Sequence, residues 1–103
     1  MRRAIDGCYI PEQRRQRFAD SATVEEVHEV LENRQHPPLW RPTEATGSSP
    51  AYLVYGRTVA GRYLLMPGVV FSEPPLKDVF MPITVRDMTL KERQFYNERT
   101  GRK

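Results

Sequence analysis

Tyr52-Leu53-Val54-Tyr55-Gly56-Arg57-Thr58-Val59, then Ala60-Gly61, then Arg62-Tyr63-Leu64-Leu65-Met66 is the stretch that decides the fold. Both flanks are rich in β-branched and aromatic residues, which suit a pleated sheet, and Gly61 supplies the positive φ of a tight turn. The stretch predicts a β-hairpin, and so a sheet at the centre of the domain. Downstream, Phe71-Ser72-Glu73-Pro74-Pro75 reads as a loop. Val79-Phe80-Met81-Pro82-Ile83-Thr84-Val85-Arg86 then reads as a third strand, with Val79, Met81, Ile83 and Val85 on one face. Pro82 removes a ladder hydrogen bond, so that strand lies at an edge or carries a bulge. Upstream, the composition from Leu39 to Pro50 fits a loop with at most a short strand at Leu39-Trp40-Arg41.

Helices flank this sheet. Pro11 to Phe18 predicts a short polar helix, because proline suits a first helical position and good helix formers follow it. Thr23-Val24-Glu25-Glu26 is a capping box, in which the threonine hydroxyl and the glutamate each satisfy an unpaired amide. The helix it starts carries Val24, Val27, Val30 and Leu31 as an apolar stripe for the sheet, and Pro37-Pro38 ends it. Thr89-Leu90-Lys91-Glu92 is a second capping box and opens a last helix through about Arg99, with Gly101 as its stop. The expected layout is α+β: two amino-terminal helices, a three- to four-stranded antiparallel sheet and a carboxy-terminal helix. Core candidates are Val24, Val27, Val30, Leu31, Leu53, Tyr55, Leu64, Met66, Met81, Ile83 and Val85.

A chain of 103 residues fits one domain, since autonomous domains usually span about 100–200 residues. Residues 1–10 and 100–103 are expected to be flexible ends. No apolar run approaches the roughly 18 residues of a membrane-spanning helix, and no apolar segment follows the basic amino terminus, so a soluble cytoplasmic protein without membrane contact is expected. Cys8 is the single cysteine, which excludes an internal disulfide and leaves no zinc cluster. No Gly-rich phosphate loop or carboxylate cluster suggests a cofactor or metal. The net charge of +3 favours polyanionic partners weakly, but its distribution says more. Basic residues crowd both ends, whereas Glu25, Glu26, Glu29 and Glu32 make the intervening helix acidic.

Tyr52-Leu53-Val54-Tyr55-Gly56-Arg57-Thr58, Gly61-Arg62-Tyr63-Leu64-Leu65, and Ile83-Thr84-Val85-Arg86-Asp87-Met88-Thr89 with Glu92-Arg93 and Tyr96 together resemble the BrnT-type toxins of bacterial toxin–antitoxin pairs. The helix Val24-Glu25-Glu26-Val27-His28-Glu29-Val30-Leu31 is also similar, so the resemblance covers roughly residues 20–97. It implies a RelE/ParE-like fold and a metal-independent endoribonuclease held inactive by a small DNA-binding antitoxin. One departure stands out. Where that family commonly has a basic residue and His-Gly before the second helix, this chain has Arg17-Phe18-Ala19-Asp20.

RNA cleavage without a metal needs the 2′-hydroxyl in line with the phosphate, and stabilisation of the charge that builds on the nonbridging oxygens. Arginine suits this, because its planar guanidinium pairs bidentately with phosphate and stays charged. Arg62, near the hairpin turn, and Arg86, at the end of the third strand, are the catalytic candidates, and each equally suits an ion pair with Asp78 or Asp87. Arg57, Arg93 and Tyr96 are the RNA-binding candidates, with Tyr96 equally suited to a place in the core beside Phe95. Glu92 is a weaker base candidate because its capping-box position already gives it a structural task. His28 reads as a surface residue, and His36 lies in a proline-rich turn. The alternative function on the same fold is an inactive module that binds nucleic acid or a protein.

Overall fold

The computed structural model describes residues 7–11, 22–44 and 50–101. Apart from Pro11, the helix expected over residues 11–18 lies outside them. The described residues form an α+β fold of six strands and two helices: β1 (Gly7–Cys8), α1 (Val24–Glu32), β2 (Leu39–Thr43), β3 (Ala51–Arg57), β4 (Tyr63–Val70), β5 (Val79–Pro82), β6 (Arg86–Asp87) and α2 (Leu90–Thr100).

The hairpin is the centre of the sheet, as its composition predicts. β3 and β4 pair in antiparallel register from Ala51↔Val69 to Arg57↔Tyr63. Gly61 closes the turn at φ 92°, and the Thr58 amide donates to the Arg62 carbonyl at 2.9 Å. Strand order is β1-β5-β4-β3-β2, with β6 paired to β4 beyond the end of β5.

The expected layout of two amino-terminal helices, three to four antiparallel strands and a final helix is therefore corrected. The sheet has six strands and is mixed, because β1 runs parallel to β5. β2 is a full edge strand through Thr43, which Pro42 tolerates because an edge strand leaves ladder groups unpaired on its outer side. The single third strand expected over Val79 to Arg86 is two strands. β5 pairs with β4 at Gly68, Val69 and Val70, whereas β6 pairs with β4 at Leu64 and Leu65. Between them the chain bends at Ile83. The expected face is inverted over β5, where Phe80 opposite Val70 and Pro82 opposite Gly68 are buried and Met81 is half-buried; Ile83 at the bend is exposed, and Val85 returns to the core after it.

The sheet buries both faces. Even-numbered positions of the central hairpin face α1, where Val54, Leu64, Met66 and Val70 meet Val27 and Val30. Gly56 permits this approach, because a Cβ there would collide with Val30. Trp40 and Phe80 join this core edge to face, with ring centroids 5.1 Å apart. Odd-numbered positions face α2, where Tyr55 and Leu65 pack with Met88 and Tyr96. Both helices start at the capping boxes read from the sequence, at Thr23 and Thr89, and α2 stops at Gly101 in the left-handed conformation.

Candidate nucleic-acid interface

The pairing register separates the two arginines that the sequence joins. Arg86 lies opposite Leu65 and Asp87 opposite Leu64. Directly opposed residues share a face, so Arg86 stands on the α2 side while Asp87 stands on the α1 side. Arg62, two residues before Leu64, joins Asp87 on the α1 side. Its Nε donates to Asp87 Oδ1 at 3.0 Å and its Nη1 to both Glu26 oxygens at 3.1 Å. Glu26 is the capping-box glutamate of α1 and also accepts the Thr23 amide at 3.0 Å.

Arg86 repeats this arrangement on α2. Its Nη1 and Nη2 donate to the two oxygens of Glu92 at 2.8 Å each, and Glu92 accepts the Thr89 amide at 2.8 Å. The Arg86 hydrogen bonds, followed by the Thr89 amide, hold the Glu92 carboxyl down at about 2. The Thr23 amide, followed by Arg62, lowers that of Glu26. Both arginines are raised, Arg62 chiefly by Asp87 and then Glu26, Arg86 by Glu92. Each guanidinium thus locks the cap of one helix to the sheet.

A different set of arginines gathers on the α2 side. The Arg57 guanidinium carbon lies 4.7 Å from the Tyr63 ring centroid, and that of Arg93 lies 5.1 Å from the same ring. Arg41 and Arg99 flank Phe95 in the same way, at 5.2 Å and 5.1 Å. Among the described residues, none of these four has a carboxylate partner. Register explains the first stack, since Arg57 and Tyr63 are directly opposed across the hairpin. Helix geometry explains half of the second, since Phe95 and Arg99 are four residues apart on one face of α2. Tyr55 packs under Phe95 at 5.1 Å between centroids and accepts a hydrogen bond from Arg41 at 3.4 Å.

Tyr96 is wholly buried, and its hydroxyl donates to the Pro37 carbonyl at 3.0 Å, so it sits under this surface rather than on it. Arg57 and Arg93 are brought together; Arg62 and Arg86 are not. The sequence reading missed Arg41, Arg99 and Tyr63 as members of the surface, and it missed His36 beside Arg57. Arg57 Nη1 stands 3.3 Å from one ring nitrogen of His36 and 3.5 Å from the other. Both are hydrogen-bond contacts whose donor and acceptor roles depend on the imidazole tautomer. The signal was Asn33: its side chain accepts the His36 amide at 2.8 Å and donates to the Arg57 carbonyl at 3.0 Å, a turn that asparagine favours. His28 lies on α1, 4.0 Å from Glu32, on the rim of a cleft that also reaches His36 and Arg57.

Burial pushes the Cys8 thiol up to about 11, which keeps it protonated and a poor nucleophile. Among the described residues, no three His, Cys, Asp or Glu side chains are grouped to hold a metal ion, and no helix is long and apolar enough to cross a membrane. No family model matches this chain, and no curated protein matches it.

Proposed function

We propose that this chain is the toxin component of a bacterial toxin–antitoxin pair, acting on RNA in the cytoplasm, and that it holds single-stranded RNA on its α2 side. The observation that carries this is the set of four carboxylate-free arginines stacked on Tyr63 and Phe95. Cations draw in the phosphates, while aromatic and guanidinium planes stack with bases, the usual combination for single-stranded nucleic acid. The resemblance of residues 20–97 to BrnT-type toxins supports RNA as the polyanion and a small DNA-binding antitoxin as the partner that covers this face. Metal-independent cleavage on this reading uses Arg57 to stabilise the phosphate, with the His36 imidazole in hydrogen-bond contact with it.

A second reading is an inactive binding module on the same fold. It is favoured by Arg62 and Arg86, which are clamped by carboxylates on opposite faces of the sheet, and by Phe18-Ala19 where the family has His-Gly. Induced expression in a bacterial host separates the two. The toxin reading expects growth arrest with fragmented RNA, relieved by Arg57→Ala at equal soluble protein. Normal growth and intact RNA with folded wild-type protein select the binding module.

A further inference from the structure

A cleft of about 750 Å³ opens between the carboxyl half of α1 and the β3–β4 turn, within the size range of small-ligand sites. Glu25, Glu29 and Glu32 line it from α1, and His36 and Arg57 line it from the other side. Arg57 also belongs to the stack on Tyr63. One side chain, Arg57, thus links the stacked surface to the cleft. The Nε of Arg57 is buried with no hydrogen-bond partner, so the side chain reaches the cleft through its other atoms.

The charge of the cleft decides what enters it. Three glutamates outnumber its two arginines, Arg34 and Arg57, so a phosphate is disfavoured and a group presenting N–H donors is favoured. Glu29 is the carboxylate held in place. One of its oxygens accepts the Val59 amide at 3.0 Å across the cleft. An ionised carboxylate offers about four acceptor positions, so further donors can be met.

Among the four RNA bases, guanine alone presents two adjacent donors, N1–H and the exocyclic amine, which match the two oxygens of a carboxylate. Adenine and cytosine set an acceptor beside their amine, and uracil flanks its single N–H with two carbonyls. We propose that this cleft is a base-reading pocket that takes an unstacked guanine, with Glu29 as the specificity-determining residue and Arg57 joining the pocket to the phosphate-binding surface. The proposal rests on the RNA-binding reading above and adds the base that is read. Sequence-specific recognition of RNA by this route, through splayed bases hydrogen-bonded on their edges, is general.

The test is fluorescence anisotropy with labelled single-stranded RNA of uniform uridine sequence, and with the same strand carrying one central G, A or C. Wild-type protein is expected to bind the G strand about tenfold more tightly than the others, the discrimination of one good bidentate contact. Glu29→Gln keeps an amide oxygen for Val59 but replaces the second acceptor with a donor. It is expected to abolish the preference for G while leaving affinity for the uridine strand unchanged. Equal wild-type affinity for all four strands, with Arg93→Ala weakening them equally, overturns the guanine pocket and leaves the RNA-binding surface standing. Preference for G that survives in Glu29→Gln also overturns it. No binding to any strand overturns both readings.

Discussion

Around Arg62 and Arg86 the guanidiniums meet carboxylates at 2.8 to 3.1 Å, and those carboxylates are the capping glutamates Glu26 and Glu92 together with Asp87. Around Arg41, Arg57, Arg93 and Arg99 the neighbours are rings, and among the described residues no carboxylate answers them. The same side chain therefore does two jobs. A guanidinium already paired bidentately has its strongest donors committed, and an incoming phosphate must displace a carboxylate to use them. A guanidinium lying on a ring keeps its edge N–H groups for an arriving anion while its face is already desolvated. The comparison teaches that neighbours, more than residue type, sort these arginines into fasteners and receptors.

The largest expected effect comes from the residue beneath the receptor set. Tyr96→Ala removes a wholly buried ring that packs on Tyr63, with centroids 6.1 Å apart. It is expected to cost about 3–5 kcal/mol, the usual range for deleting a core aromatic, read by chemical denaturation. Tyr96→Phe, which removes only the hydroxyl bound to Pro37, is expected to cost about 1 kcal/mol and to leave RNA affinity unchanged. A large loss of RNA affinity in folded Tyr96→Phe would return this residue to the contact surface and blur the comparison.

Arg62→Ala tests the fasteners. It severs α1 and β6 from the hairpin turn, but Arg62 is 36% exposed and Asp87 60%, so water screens much of the attraction. A loss of about 1 kcal/mol in denaturant unfolding is expected.

A further effect is the pH dependence of the second fastener. The Glu92 carboxyl is lowered to about 2 in the folded protein from an ordinary 4.5. A depressed carboxyl contributes stability above its unfolded value and loses it as pH falls towards the folded one. Tm is therefore expected to fall between about pH 4.5 and pH 2, and Arg86→Ala is expected to make that fall shallower. An identical acid slope in the variant would show that the Arg86–Glu92 pair is not the cause.

Much of this architecture is legible in the residues. The hairpin, both capping boxes and the glycine stop are local signals, each written within a few consecutive positions. What escapes a linear reading is set by pairing. The two-residue β1 and β6 carry too little pattern to announce themselves, and Pro82-Ile83 conceals a bend that shifts the phase of burial. Arg62 and Arg86 look equivalent until register puts Arg86 across from Leu65 and Asp87 across from Leu64. Arg57 facing Tyr63 was within reach once the hairpin register was known, and Phe95 with Arg99 is visible as a spacing of four. Arg41 was hidden because Pro42 made an edge strand look like a loop.

The central claim is that the receptor arginines, not the fasteners, hold RNA. Its most direct test is the affinity of a labelled single-stranded RNA, across a range of salt, for wild type, Arg93→Ala/Arg99→Ala and Arg62→Ala/Arg86→Ala. The account predicts that the Arg93/Arg99 pair weakens binding about tenfold or more and lowers the salt slope by roughly 0.7 per arginine removed, while the Arg62/Arg86 pair, kept below its own unfolding temperature, stays within about twofold of wild type. The reverse pattern, with affinity lost in the folded Arg62/Arg86 variant and kept in the other, would contradict it.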